Sequence, residues 1–198
     1  MVKYMLLSTC ILLVVSVYGQ VAMSSDPERK DVNPALLVID IQEAFLPMMD
    51  DQERDLTMRM INGAIWLFRQ HDLPVIRVYH ADPQFGPNPG DKGFEFPGSV
   101  IIKDDDPRIV KNFPSAFIKT DLDSVLREKN VNTVFLCGLS AVGCVLATYF
   151  GALDRGYETF MVKNAVMSHK ADYTKVAQDI TETVSFKTLQ FMLEHLRK

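Results

Sequence analysis

Three residues whose types suit covalent chemistry stand where apolar, strand-like runs end. Asp40 follows the run PALLVI, His80 ends LPVIRVYH, and Cys144 comes shortly after VNTVFLCG, within the stretch GLSAVGC. A carboxylate can accept a proton, a thiolate can attack a carbonyl carbon, and an imidazole can contact a substrate. Whether they act together depends on the elements that position them.

Cys144 stands at the predicted start of a helix. The first amides of a helix are unpaired and its dipole is positive there, so this position favours a thiolate and can hold an oxyanion. The alternative is a small apolar core cysteine, which suits Cys137 better because Cys137 lies near the end of its strand. A bridge between the two would close the strand end onto the following helix, so both are predicted to be free thiols.

The apolar periodicity predicts strands that alternate with helices. Strands are predicted at 34–42, 73–80, 133–138 and 158–166. Helices are predicted at 53–71, at 122–129 with Thr120 or Asp121 as cap, from the Cys144 turn onward, and from 172 to 196 with a break near 184–185. This order predicts a three-layer α/β fold, with a mainly parallel sheet covered by helices on both faces. In such a sheet the carboxyl ends of the strands border the site.

Each remaining candidate carries two interpretations. Burial raises the pKa of Asp40 toward that of a general base, or its carboxylate caps a neighbouring helix or loop. Lys111, which opens KNFPSAF, can hold its ammonium against the carboxylate and thiol, although most lysines are solvated. His80 lines the pocket or bonds a backbone group. Only Asp82 lies near it in sequence and no HxH or CxxC occurs, so no metal site and no cofactor are predicted.

The segment ADPQFGPNPGDKGFEFPGS, residues 81–99, is predicted to be a long loop that borders the site. Its aromatic residues Phe85, Phe94 and Phe96 form part of a lid, form an oligomer contact, or simply pack the loop. Phe45, which follows the Asp40 strand, either stacks on a planar substrate or belongs to the core. Aromatic residues on a loop suit a contact between the subunits of a homo-oligomer.

The first thirty residues indicate export. Residues 1–19 are predicted to be a signal peptide, with Lys3 in its positive region and Met5–Val17 as its apolar region. Thirteen residues are too few for a bilayer span, which needs roughly 20, so no stable membrane insertion is expected after cleavage. The alternative is an uncleaved anchor or an inert extension. Residues 20–31 form a linker and 32–198 one domain, and the destination is secreted, periplasmic or lumenal.

Three ordered motifs resemble those of the isochorismatase-like cysteine hydrolases, which include nicotinamidases and N-carbamoylsarcosine amidohydrolases. They are ALLVIDIQEAF with Asp40 and Phe45, VKNFPSAFIKTDL with Lys111, and CGLSAVGCVLATYFGALDRGYE with Cys144. The resemblance covers nearly all of the domain, and the order and spacing of the motifs make it specific. The formal net charge of −4 gives no reason to expect nucleic acid as partner, and a small-molecule substrate is expected.

The resemblance implies a triad of Asp40, Lys111 and Cys144. In this assignment Asp40 takes the thiol proton, Lys111 holds the pair in its ionised state, and Cys144 attacks a carbonyl to form a thioester. The resemblance also implies a cis peptide between Leu139 and Ser140. The backbone amides of Ser140 and Cys144 would then form the oxyanion hole.

Three departures from the family pattern guide the choice of reaction. VYHADPQF lacks the Asp-x-His pattern of metal-dependent nicotinamidases, which disfavours that activity. Ala141 and Val142 replace more polar residues and make the pocket floor more apolar. Enzymes that hydrolyse the vinyl ether of isochorismate typically lack the cysteine, so Cys144 favours hydrolysis of a C–N bond in a small carboxamide or carbamoyl compound. The alternatives are a vinyl-ether hydrolase and a non-catalytic exported binding domain.

Overall fold

The computed structural model describes residues 31–196, which contain six strands and five α-helices. The strands are β1 (Pro34–Ile39), β2 (Val75–His80), β3 (Arg108–Lys111), β4 (Thr133–Leu139), β5 (Glu158–Met167) and β6 (Thr183–Val184). The helices are α1 (Asp51–Gln70), α2 (Leu122–Glu128), α3 (Leu146–Leu153), α4 (Ala171–Asp179) and α5 (Phe186–Glu194). A 3-10 turn (Leu46–Met48) precedes α1, and a π-helical turn (Ala141–Val145) precedes α3.

The six strands form one parallel sheet in the order β3-β2-β1-β4-β5-β6. One apolar core lies between the sheet and helices α1 and α5, and contains Ile61, Phe68 and Leu189. The second core covers the other face and contains Leu126, Tyr149 and other residues of α2, α3 and α4. The predicted three-layer α/β fold is therefore confirmed. Because β1 and β4 are central, their carboxyl ends lie in the middle of one edge of the sheet.

Several element predictions need correction. The strand β3 was not predicted; it has four residues, lies at the sheet edge, and its residues alternate between exposed and buried. The break in the last predicted helix contains the short strand β6, and Ser185 then caps α5 by accepting a hydrogen bond from the Thr188 amide at 3.1 Å. The predicted side-chain cap of α2 is absent at Asp121, although the Thr120 hydroxyl lies 3.4 Å from the Leu122 amide.

The remaining sequence predictions concern the N-terminal segment. The predicted signal peptide at residues 1–19 and most of the linker at 20–31 lie outside the described residues. Among residues 31–196, no helix is both long and apolar enough to cross a membrane.

Candidate active site

Asp40 lies directly after β1 and is buried, with only 2% of its surface exposed. Its backbone has a positive φ of 53°, and its amide donates to the carbonyl of Val78 on β2. On the other side of β1, Gly138 of β4 has a φ of +118°, and a Cβ there would lie 2.0 Å from the carbonyl oxygen of Ile39. Only glycine fits this close approach, so Gly138 allows β4 to pass the end of β1.

Lys111 ends the edge strand β3 and is fully buried. Its Nζ lies 2.7 Å from Oδ2 of Asp40 and 3.1 Å from Nδ1 of His80. Oδ1 of Asp40 has no hydrogen-bond partner among the described residues. The buried ion pair therefore leaves one carboxylate oxygen available to accept a proton.

Cys144 lies in the π-helical turn rather than in the first turn of α3, which corrects the sequence-based placement. The turn departs from helical geometry at Gly143, where φ and ψ are both −110°. The Leu139–Ser140 peptide before it is cis, as the resemblance implies. The Sγ of Cys144, a carboxylate oxygen of Asp40 and a ring nitrogen of His80 all lie within 4.8 Å of one another. The structure thus brings the predicted acid, lysine, thiol and imidazole into one cluster.

The backbone amides of this turn are only partly engaged. The amides of Gly143 and Val145 donate to the carbonyl of Ser140 at 2.9 and 3.2 Å. The Val142 amide lies 3.4 Å from the hydroxyl of Ser168, a buried side chain at the end of β5. The amides of Ser140 and Cys144, predicted as oxyanion donors, are not among these donors. The Ser168 hydroxyl also lies 3.2 Å from that of Ser140, so Ser168 ties the turn to β5.

The electrostatics of the cluster favour a neutral thiol in the free protein. Burial and the Asp40 carboxylate raise the pKa of Cys144 to about 12, while Lys111 lowers it in part. Burial also raises the pKa of Asp40, against the lowering effect of Lys111. Desolvation and the neighbouring carboxylate therefore oppose the thiolate that the sequence favours at Cys144.

Three members of the cluster are also of residue types that bind metals. Asp40, His80 and Cys144 offer a carboxylate, an imidazole and a thiol, donor types that bind divalent ions. Sequence spacing could not reveal this set, because its members are far apart in the chain. However, the Lys111 ammonium already contacts two of the three donors. A divalent ion does not fit beside that buried cation, so the cluster suits proton transfer and nucleophilic attack.

Two further predictions concern aromatic residues. Phe45 is half-buried, and its ring centroid lies 6.2 Å from that of half-buried His80, so Phe45 borders the cluster beside His80. Phe94 and Phe96 of the predicted lid are instead core residues, with centroids 5.4 and 4.2 Å from that of Tyr79. Loop packing is thus the correct interpretation for these two. Phe85 is 81% exposed and contributes nothing to the core.

Sequence reasoning missed Gln42, which is fully buried beside the cluster. Its Oε1 accepts a hydrogen bond from the His80 amide at 2.7 Å, and its Nε2 donates to the His80 carbonyl at 3.0 Å. Its position two residues after the strand-ending acid was the only available signal. Ser168 was missed as well, because nothing in the sequence places it beside the Cys144 turn.

Comparison with known proteins identifies the class. Residues 34–184 match the family model of the isochorismatase domain. The isochorismatase family protein YddQ of Bacillus subtilis is 33% identical over 138 residues, covering 66% of this chain and 76% of that protein. The maleamate amidohydrolase of Pseudomonas putida is 30% identical over 91 residues, 43% of each chain. The structure of N-carbamoylsarcosine amidase from Thermoplasma acidophilum has a TM-score of 0.68 at 28% identity, covering 78% of this chain and 95% of that one.

The protein therefore has the isochorismatase-like α/β fold, with a cluster of acid, lysine and cysteine at the carboxyl edge of its sheet. The chain belongs to the isochorismatase family. Members of this family are hydrolases, and some of them are amidases.

Proposed function

We propose that this protein is a thiol-dependent amidohydrolase that cleaves a C–N bond in a small carboxamide or carbamoyl compound. The observation that carries the proposal is the buried Lys111–Asp40 ion pair at 2.7 Å, with the Cys144 thiol in the same cluster. Two of the relatives described above carry names of enzymes that act on C–N bonds. A binding domain has no need of a buried ion pair beside a thiol, because burying two charges is costly unless they serve a purpose.

In the first half-reaction, the free Oδ1 of Asp40 accepts the thiol proton as the sulfur of Cys144 attacks the carbonyl carbon. A C–S bond forms, and the carbonyl electron pair moves to oxygen. The amides of Ser140 and Cys144 are proposed to donate to that oxyanion. When the C–N bond breaks, protonated Asp40 returns its proton to the leaving nitrogen, and ammonia or an amine departs. A thioester on Cys144 remains.

In the second half-reaction, water attacks the thioester and Asp40 takes one of its protons. The C–S bond breaks, the acid leaves, and the sulfur regains a proton. The raised pKa of Asp40 suits both halves, because the group must accept and return a proton at each step. Lys111 keeps the carboxylate ionised between steps by balancing its charge.

We also propose that the protein is exported by cleavage of residues 1–19 and acts in a secreted, periplasmic or lumenal setting. The support is the sequence pattern of a positive residue, a short apolar region and a small-residue cleavage site. A homo-oligomer is proposed on the family resemblance.

The test is turnover of a panel of small amides, carbamoyl amines and ureido compounds by the purified protein. Release of ammonia reports C–N hydrolysis. Isochorismate is included in the panel, and release of pyruvate from it reports vinyl-ether hydrolysis. The proposal expects ammonia from at least one compound, with loss of that activity in the Cys144→Ala and Lys111→Ala variants. Pyruvate release without ammonia release would assign the vinyl-ether reaction. Tight binding of one compound without turnover would assign a binding domain.

A further inference from the structure

The contacts of Lys111 determine the state of the histidine beside it. An ammonium carries three N–H donors and no acceptor, so the 3.1 Å contact with His80 requires Nδ1 of the ring to accept. The single proton of a neutral imidazole then lies on Nε2. A protonated ring would place an N–H donor and a second positive charge directly against Lys111. The geometry is therefore consistent only with a neutral, Nε2-protonated His80.

The backbone places His80 for this contact. His80 and Lys111 are register partners on the parallel strands β2 and β3, so their side chains leave the same face of the sheet. Gln42, two residues beyond Asp40, binds both the amide and the carbonyl of His80. The Ala81 amide donates to the Lys111 carbonyl at 2.8 Å, which continues the pairing past His80. The backbone around His80 is thus held by Gln42, in the segment after β1, and by β3, which places the ring against the ammonium.

We propose that His80 is a positioning residue, whose neutral imidazole fixes the Lys111 ammonium against Asp40 and Cys144. The role differs from the substrate contact that the sequence predicts for His80. Without the ring, a fully buried ammonium would lose one of its two observed acceptors, which is costly for a charged donor. The catalytic consequence rests on the proposed function, whereas the hydrogen bond and tautomer do not.

The surroundings of His80 agree with a neutral ring. Burial lowers its pKa from the ordinary value of 6.5, the Lys111 charge lowers it further, and Asp82 opposes both. The other ionisable groups that face the ring are Asp40, after β1, and Cys144, in the π-helical turn. Because these groups lie together at the carboxyl edge of the sheet, protonation of His80 depends on the positive charge of Lys111.

The first test is ¹⁵N NMR of histidine-labelled protein, with the His80 signal assigned by its loss in His80→Asn. At neutral pH the spectrum should show the Nε2–H tautomer, with protonation only below the ordinary value of about 6.5. In Lys111→Met the pKa of His80 should rise, because a neighbouring positive charge is removed. An Nδ1–H tautomer in the wild type, or an unchanged pKa in Lys111→Met, would overturn the proposal. No substrate is needed, so the result is independent of whether amide hydrolysis is found.

The second test compares His80→Leu with His80→Asn in turnover. The Oδ1 of asparagine lies where Nδ1 of histidine lies and can accept from Lys111, whereas leucine cannot. We expect kcat to fall about ten- to hundredfold in His80→Leu with KM within about threefold, and to stay within about fivefold in His80→Asn. Equal losses in both variants with a raised KM would show a substrate contact instead. The NMR result decides the proposal if His80→Leu does not fold.

Discussion

Two cysteines, seven residues apart, stand in opposite environments. Cys137 lies within β4, is fully buried, and its thiol points at the carbonyl of Leu37 at 3.5 Å. Cys144 lies in the following turn, is partly exposed, and shares a cluster with Asp40 and His80. Burial raises the pKa of both thiols. The two differ in their neighbours, because only Cys144 has a carboxylate oxygen within reach to take its proton.

Under the proposed function, this comparison identifies the feature that separates a reactive thiol from a structural one. A low pKa is not the distinguishing feature, since neither thiol ionises readily at neutral pH. The distinguishing feature is the buried Asp40–Lys111 ion pair beside Cys144, which under the proposed function provides the base for attack by sulfur. Five predictions test this difference.

The largest expected effect is on turnover. Cys144→Ser should lower kcat at least about a thousandfold, because a hydroxyl is a weaker acid and a poorer nucleophile in the same place. Cys137→Ala should leave kcat within about threefold and lower the free energy of unfolding by about 1 kcal/mol, through a small cavity. Steady-state kinetics and chemical denaturation measure both. Similar losses of kcat in the two variants would show that the two cysteines do not differ in their contribution to turnover.

Variants of the Asp40–Lys111 ion pair should separate its effect on stability from its effect on turnover. Lys111→Met leaves a buried carboxylate alone and should cost about 3–5 kcal/mol of unfolding free energy, together with turnover. Adding Asp40→Asn should restore most of the stability but none of the turnover. Arg69→Met is the matched control, because it breaks the 2.6 Å pair with Asp106 outside the cluster and should leave kcat unchanged.

The unfolding free energy of Lys111→Met should change with pH in a defined direction. The folded-state pKa of Asp40 lies above its ordinary 3.8 through burial, and removing Lys111 raises it further. Such a group binds more protons folded than unfolded, so Lys111→Met should lose stability as pH rises from 3.8 through the folded pKa. Denaturation at several pH values measures the slope. A variant that gains stability over this range would contradict the buried-carboxylate account.

Alkylation with iodoacetamide compares the thiols directly. Because the pKa of Cys144 is about 12, its labelling rate should rise about tenfold per pH unit from about pH 6 to about pH 9. Cys137 should stay unlabelled in the folded protein, since it is fully buried. Peptide mass spectrometry separates the two sites. A rate that levels off near neutral pH would reveal a preformed thiolate and contradict the neutral resting thiol.

The smallest expected effect concerns the support of the Cys144 turn. Ser168→Ala removes the hydroxyl that contacts Ser140 and the Val142 amide, and should lower kcat by up to about tenfold at a cost of about 1 kcal/mol. Ser185→Ala, which removes the cap of α5, should cost a similar free energy without changing kcat. A drop in kcat only as large as that of Ser185→Ala would make Ser168 purely structural.

The sequence predicted the central strands of the sheet better than its edge strands. Continuous apolar runs identified β1, β2 and β4, and parallel topology then placed Asp40 and His80 at the same edge as the Cys144 turn. The strand β3 was missed because its four residues alternate in burial and follow a long loop. Lys111 was therefore noticed only as the lysine of KNFPSAF, and its triad role came from the family resemblance and not from a predicted element. Gln42 was missed because its role depends on a contact between the segment after β1 and the end of β2.

The most direct test of the central claim is a rapid-quench experiment with a compound that the panel shows to be hydrolysed. Acid-quenched protein is digested, and the Cys144 and Cys137 peptides are weighed by mass spectrometry. The account predicts an acyl adduct on Cys144 that forms before product, is released by hydroxylamine, and never appears on Cys137. Turnover without an adduct on Cys144, together with undiminished turnover in Cys144→Ser, would contradict it.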